Sequence, residues 1–195
     1  GVLVRHLRQR PGLLVREVVR RAVPEGAAGV TKDEDEVAFV APLTPELPVL
    51  SEESKEIPYA TRRTWPAFWL VDPLDGTREF AKRNGEFTVN IALIDEGVPV
   101  FGVVLAPVGG ALWHGARGQD AYRRDGETDV LLRTRTPASG TLRIAASRSH
   151  RDARTEALLA RIGDAETVGL GSSLKFCRIA EGALDVYPRF GPTSE

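Results

Sequence analysis

Cysteine is almost absent from this 195-residue chain. The single copy, Cys177, has no internal partner for a disulfide, which fits a reducing cytoplasm. No apolar run approaches the ~18 residues of a membrane span, and no secretory leader pattern is visible. Net charge is small: 26 Lys and Arg against 27 Asp and Glu leave −1. Nothing in that balance points to a nucleic acid polymer or an anionic membrane as the main partner. The N-terminal third is locally rich in arginine (Arg5, Arg8, Arg10, Arg16, Arg20, Arg21) but lacks interleaved aromatics, so it reads as a solvated helix face. Internal repeats and low-complexity tracts are missing too. The chain begins at Gly1 rather than methionine, so either its start has been processed or it is not the complete gene product.

What is present is the material of a globular protein, with 42% hydrophobic and 27% charged residues. The length allows one large domain or two small lobes. Residues 12–23 place Leu14, Val15, Val18, Val19 and Ala22 on one face at helical spacing, and Pro24-Glu25-Gly26 ends the pattern. Residues 26–47, with the acidic run Thr31–Glu36 and then Pro42 and Pro45 just ahead of Pro48, read as a loop with at most one short element. Pro48-Val49-Leu50 is a short strand, followed by a polar connection through Arg63, and Phe68–Val71 is the next strand. Residues 87–94 and 98–105 flank Asp95-Glu96-Gly97, a strong hairpin signal. Ala111–Ala116 and Asp120–Arg124 add two strands.

The polar stretch 127–140 predicts a boundary, giving lobes of residues 1–135 and 136–195. Beyond it the order alternates. Leu142–Ala146, Glu166–Leu170 and Ala183–Tyr187 read as strands, and Asp152–Ile162 and Leu174–Glu181 as helices. The predicted class is an α+β first lobe with an antiparallel sheet, then an incomplete α/β second lobe.

The most informative stretch is Phe68-Trp69-Leu70-Val71-Asp72-Pro73-Leu74-Asp75-Gly76-Thr77-Arg78-Glu79-Phe80. An apolar strand ends in two carboxylates three residues apart. Two like charges about 4 Å apart cost roughly 4 kcal/mol at an effective dielectric near 20. A divalent cation relieves that repulsion, and oxygen-only ligands suit magnesium. Gly76 removes bulk where a ligand approaches, and Thr77 offers a hydroxyl and an N–H at a helix start, where phosphate is favoured. The alternative is an Asx-Pro turn with a helix cap. Glu52 follows an apolar strand as Asp72 does, so the two can meet at one sheet edge. Three carboxylates, Glu52, Asp72 and Asp75, would then serve metal-assisted displacement at phosphorus, with Thr77 orienting the water. A solvated loop is the competing reading.

Ser51-Glu52-Glu53 followed by Trp69–Thr77 resembles the signature pair of the inositol monophosphatase superfamily, with its layered αβαβα sugar-phosphatase fold. Thr77–Phe80, Asn84–Ala92, Ser147-Arg148-Ser149-His150, Gly171–Cys177 and Tyr187–Thr193 resemble, within it, the bacterial CysQ-type 3'(2'),5'-bisphosphate nucleotidases. The likeness covers about residue 48 to the end. It implies Mg2+ held by Glu52, Asp72, the Leu74 carbonyl and Asp75, with Glu52, Thr77 and Asp75 as catalytic residues. Gly76 and Thr77 would hold the scissile phosphate. Ser147, His150, Gly171 and Lys175 would surround the nucleotide and its second phosphate. Each of these four has a plain alternative: a strand end, a helix cap, a turn and a surface lysine. His114 and His6 match nothing and read as surface or satisfied structural residues, and Cys177 as core.

The resemblance implies removal of the 3'-phosphate of adenosine 3',5'-bisphosphate, clearing a by-product of sulfate assimilation, with 3'-phosphoadenylyl sulfate as a second candidate substrate. The implied location is the cytoplasm, free or peripheral on the inner membrane face. An inositol monophosphatase or fructose-1,6-bisphosphatase is the rival enzyme. A chain that binds nucleotide or phosphate without turnover is the rival of another class. Two departures support the latter. The family's remaining metal aspartate lies in a Trp-Asp motif beyond the segment matching Phe190–Thr193, and this sequence stops at Glu195. Thr31–Ala41 also lacks the Asp-x-Ser-Pro-Val-Thr-x-Ala-Asp-like pattern of the family. The expectation is therefore little or no activity for the 195-residue chain alone, and activity for a chain extended through the motif.

Overall fold

The computed structural model describes Val18 and residues 44–126, 128–148 and 152–191. The helix expected over 12–23, apart from Val18, and the expectations on His6, Thr31–Ala41 and His150 lie outside the described residues. From residue 44 on, the described residues form nine strands and four helices. They run β1 (Val49–Ser51), α1 (Tyr59–Arg62), β2 (Ala67–Asp75), α2 (Thr77–Ala81), β3 (Thr88–Asp95), β4 (Val98–Ala106), β5 (Ala111–Ala116), β6 (Ala121–Asp125), β7 (Thr128–Leu131), β8 (Leu142–Ser147), α3 (Ala153–Ile162), β9 (Ala165–Leu170) and α4 (Leu174–Ala180).

The first seven strands form one sheet in sequence order. Its neighbours are antiparallel except at the start, where β1 runs parallel to β2. The β3–β4 hairpin turns through Glu96 at φ 51° and Gly97 at φ 72°. Two consecutive left-handed residues match the right-handed twist of the flanking strands. Alternation then sorts the faces. Trp69, Val71, Ile91, Leu93, Phe101, Val103 and Leu105 fill one face and enclose Val18 in a single cluster. On the other face Ala106, Trp113 and Leu132 pack against Leu174 and Cys177 of α4. β8 and β9 form a separate parallel pair, joined by α3. Asp152 caps α3, its side chain accepting the Thr155 N–H at 2.8 Å.

Three elements differ from the sequence reading. The stretch expected to be a polar boundary contains β7, whose four residues are all exposed. An edge strand held by backbone pairing needs no apolar alternation to exist, and Arg124 supports it with two hydrogen bonds of 2.8 Å to Asp129. The connection before Arg63 contains the single helical turn α1. Ala183–Tyr187 is no full strand: it touches β8 at one isolated bridge, Ile144 to Val186. Asp185 there is held by backbone and arginine together: its N–H donates to the Arg143 carbonyl at 2.8 Å, and its carboxylate accepts from Arg135 Nε at 2.6 Å and from the Arg143 backbone N–H at 2.7 Å.

Candidate active site

Parallel pairing explains how Glu52 reaches Asp72. Ser51, the last residue of β1, is in register with Val71, so Glu52 falls beside Asp72 at the same edge of the sheet. The Glu52 N–H donates to the Val71 carbonyl at 3.2 Å, extending the ladder by one step. β2 itself continues through Asp72-Pro73-Leu74-Asp75 rather than ending at Val71, as the sequence suggested. Its register against β3 shifts between Asp72, paired with Asn90, and Asp75, paired with Thr88. A bulge there accommodates Pro73, which has no N–H to give the ladder.

The two aspartates sit in different surroundings. Asp72 accepts the Leu74 N–H at 3.0 Å. Burial, then the neighbouring Glu52 carboxylate, and more weakly Asp75, push its carboxyl up to about 7, although the Leu74 N–H pulls the other way. Asp75 turns one oxygen toward Asn90 Nδ2 at 3.3 Å and Thr88 Oγ1 at 3.4 Å. Both partners in turn meet the Ser173 hydroxyl at 2.8 Å. Gly76, at φ 93°, opens α2 in the left-handed region, and a Cβ there would lie 3.2 Å from the Glu86 carbonyl.

The opposite wall comes from the ends of the second sheet and from α4. Ser147 ends β8 and is buried, which agrees with its strand-end reading. Gly171 follows β9 and gives its N–H to Glu86 Oε2 at 2.9 Å. Lys175 is not the surface lysine of the plain alternative: it is only 6% exposed. Its Nζ donates to the Ser172 carbonyl and lies 5.3 Å from the centre of the Tyr187 ring. Burial lowers its pKa, opposed by the charges of Asp75, Glu79 and Glu86.

These residues line one cavity of about 420 Å³. Glu52, Asp72, Leu74, Asp75, Gly76 and Thr77 form one side, and Ser147, Gly171 and Lys175 the other. The cavity also takes in Arg78, Tyr187 and Arg189, which sequence reasoning had given no role. Arg189 falls inside the quoted Tyr187–Thr193 string, and its charge was the available signal. His114 is satisfied elsewhere, stacked on Tyr122 and 3.2 Å from Asp129. Cys177 is buried in the core, with its thiol pushed up to about 12 by burial.

The donor set fits magnesium in kind. It is made only of oxygen, and the elevated Asp72 carboxyl marks crowded negative charge that a cation would relieve. It is not a finished cage. Among the described residues, no three Asp, Glu, His or Cys side chains gather closely enough to hold a metal ion. Glu52 and Asp72 are the close pair, while Asp75 Oδ2 is drawn toward β3.

The layered α/β fold carries this cavity, with carboxylates at one sheet edge facing the buried Lys175 of α4. Residues 32–195 match the model of the inositol monophosphatase family, and the chain belongs to that family. It is 49% identical over 152 residues to the Escherichia coli K12 protein named 3'(2'),5'-bisphosphate nucleotidase CysQ, covering 78% of this chain and 60% of that one. The protein of the same name from Haemophilus influenzae is 35% identical over 155 residues, covering 78% of this chain and 58% of that one. The chain thus spans about 60% of the length of the curated relatives it matches. Among solved structures, CysQ from Bacteroides thetaiotaomicron, a bacterial member of the family, superposes with a TM-score of 0.73 at 37% identity. That match covers 91% of this chain and 77% of the other.

Proposed function

We propose that this chain carries the active-site cavity of a magnesium-dependent 3'(2'),5'-bisphosphate nucleotidase, which hydrolyses adenosine 3',5'-bisphosphate to AMP and inorganic phosphate. The observation that carries the reading is the single cavity with two chemically different walls: carboxylates with Gly76 and Thr77 on one side, Ser147, Gly171 and buried Lys175 on the other. One wall suits a phosphoryl group undergoing displacement, and the other suits a second, spectator phosphate.

In this reading Glu52, Asp72, Asp75 and the Leu74 carbonyl would hold Mg2+. The ion, when bound, would polarise the phosphoryl oxygens and make the attacking water more acidic. The Thr77 hydroxyl orients that water, and Glu52 accepts its proton. Gly76 and Thr77 hold the scissile phosphate by their backbone N–H groups. Lys175, desolvated by its surroundings, offers an ammonium whose attraction for a phosphate is stronger than it would be in water. His150, outside the described residues, keeps its proposed place beside the nucleotide.

The division into a metal-binding lobe of residues 1–135 and a nucleotide-binding lobe of 136–195 belongs to the same proposal. So do clearance of the sulfate-assimilation by-product, 3'-phosphoadenylyl sulfate as second substrate, and work in the cytoplasm. No helix among the described residues is long and apolar enough to cross a membrane.

One observation favours a second reading, a non-catalytic nucleotide or phosphate binder: the carboxylates do not form a finished cage. Binding and phosphate release, measured side by side with magnesium on adenosine 3',5'-bisphosphate and inositol 1-phosphate, separate the cases. The nucleotidase reading expects both signals to favour the bisphosphate. Preference for inositol 1-phosphate would overturn the substrate assignment, and tight nucleotide binding without phosphate release would favour the binder.

A further inference from the structure

We propose that Glu86 is a positioning residue that sets the spacing between the two phosphate-holding points of the cavity, Gly76–Thr77 and Gly171–Lys175. It thereby favours ligands with two phosphates over ligands with one. This rests on the nucleotidase reading above.

Glu86 does not line the cavity but stands behind both points. Its backbone carbonyl is among the atoms that a Cβ on either glycine would meet first, beside Ser172 Cβ at Gly76 and Glu79 Cγ at Gly171. A Cβ on Gly76 would lie 3.2 Å from that carbonyl, and one on Gly171 2.8 Å. The two glycines, from different sheets, are therefore packed against one carbonyl. The side chain completes the tie. Glu86 Oε2 accepts the Gly171 N–H at 2.9 Å, and the carboxylate takes two hydrogen bonds from Arg148, at 3.0 and 2.7 Å. Arg148 also donates to the Gly169 carbonyl at 2.7 Å, so the Glu86–Arg148 pair holds the chain at Gly169 and at Gly171. The loop holding Glu86 is itself fixed, because the Asn84 side chain accepts the Glu86 N–H at 2.9 Å.

Charge argues that Glu86 acts through Gly171 and not by touching an anion. A bare carboxylate near a phosphate would repel it, and this one is matched by the Arg148 guanidinium. Burial raises its pKa, but the Arg148 and Gly171 hydrogen bonds outweigh that and hold it below the usual carboxylate range. The covalent frame of a bisphosphate fixes the distance between its two phosphates, so both holding points must match that distance at once. A misplacement of about 1 Å in such an arrangement can cost up to ~100-fold. A monophosphate needs one point only and tolerates the shift.

The test is calorimetric titration of the 195-residue chain with adenosine 3',5'-bisphosphate and with 3'-AMP. Calcium replaces magnesium, to fill an oxygen site of looser geometry. Wild type is compared with Glu86→Ala, with Glu86→Ala/Arg148→Ala, which removes the freed cation, and with Glu86→Gln, which keeps an acceptor for the Gly171 N–H. The expected result is a bisphosphate preference in wild type that falls about 10-fold or more in both alanine variants, with 3'-AMP affinity unchanged within about twofold. Glu86→Gln should fall between. An unchanged preference in the alanine variants, or equal weakening of both ligands, would overturn the role of Glu86 while leaving the nucleotidase reading in place. No preference in wild type would overturn that reading and this inference together.

Discussion

Glu52 and Asp72 stand side by side because β1 and β2 run parallel with Ser51 opposite Val71. Glu52 is the first residue past β1, and Asp72 is the residue of β2 that follows Val71. The Asp72 carboxyl, pushed up to about 7 by burial and by Glu52, records how close that placement is. Proximity of like charges at a sheet edge is unfavourable by itself, and it is the structural feature from which the phosphatase reading starts.

Gly171 is expected to be intolerant of any side chain. A Cβ there would fall 2.4 Å from Glu79 Cγ and 2.8 Å from the Glu86 carbonyl, and Glu79 is buried. Gly171→Ala should lose about 1–3 kcal/mol, the usual cost of overpacking. Gly102 of β4, whose Cβ position has only the Ile91 carbonyl at 3.9 Å and whose backbone is not in the left-handed region, is the control. Gly102→Ala should change stability by less than about 1 kcal/mol. Urea unfolding of the two variants decides the matter; equal losses would show that the Gly171 contact is relieved by movement of Glu79.

Trp69 should be the most costly truncation in the sheet. It is fully buried, meets Phe101 edge-on at 6.4 Å, and donates its indole N–H to Thr44 Oγ1 at 2.7 Å. Trp69→Ala is expected to cost about 3–5 kcal/mol. Thr44→Val leaves the indole N–H buried without its acceptor and should cost about 1–3 kcal/mol. The double variant should be less destabilised than the two losses added together, since both remove the same bond. Additive losses in denaturant titrations would show that the bond contributes nothing.

Acid should weaken the chain in part through Glu86. Its carboxyl is held below the usual range in the folded state, so below the unfolded value near 4.5 the unfolded chain binds more protons. The stabilisation is present above that pH and is lost as pH falls through the folded value. Glu86→Gln should therefore start less stable at neutral pH and show a shallower decline from about pH 5 to pH 3. Parallel declines in thermal melts would assign the acid loss to other carboxylates.

Legibility in the sequence followed the physics of each element. The β3–β4 hairpin was readable because Glu96-Gly97 supplies the two left-handed residues its turn requires. The strand, helix, strand and helix order from Leu142 through α4 was readable too, with Asp152 standing as the cap of α3 where the sequence reading began the helix itself. β7 was not, because an exposed edge strand carries no periodic signal. Ala183–Tyr187 was overread, since its apolar residues serve one bridge and its aspartate pairs with arginines brought in from far along the chain. For the site, Glu52 beside Asp72 was legible from two carboxylates at matching strand ends. The turn of Asp75 toward Asn90, the burial of Lys175, and the packing of Gly76 and Gly171 on one carbonyl were not. They depend on which strands pair and on how two sheets meet, and no local pattern encodes either.

The most direct test is a crystal structure of the chain with magnesium and adenosine 3',5'-bisphosphate or its reaction products. One phosphate should lie against Gly76 and Thr77 beside the carboxylates of Glu52, Asp72 and Asp75. The other should lie against Gly171 and Lys175, with the adenosine between. A nucleotide bound elsewhere, or with neither phosphate near the carboxylates, would contradict the assignment of this cavity as a bisphosphate nucleotidase site.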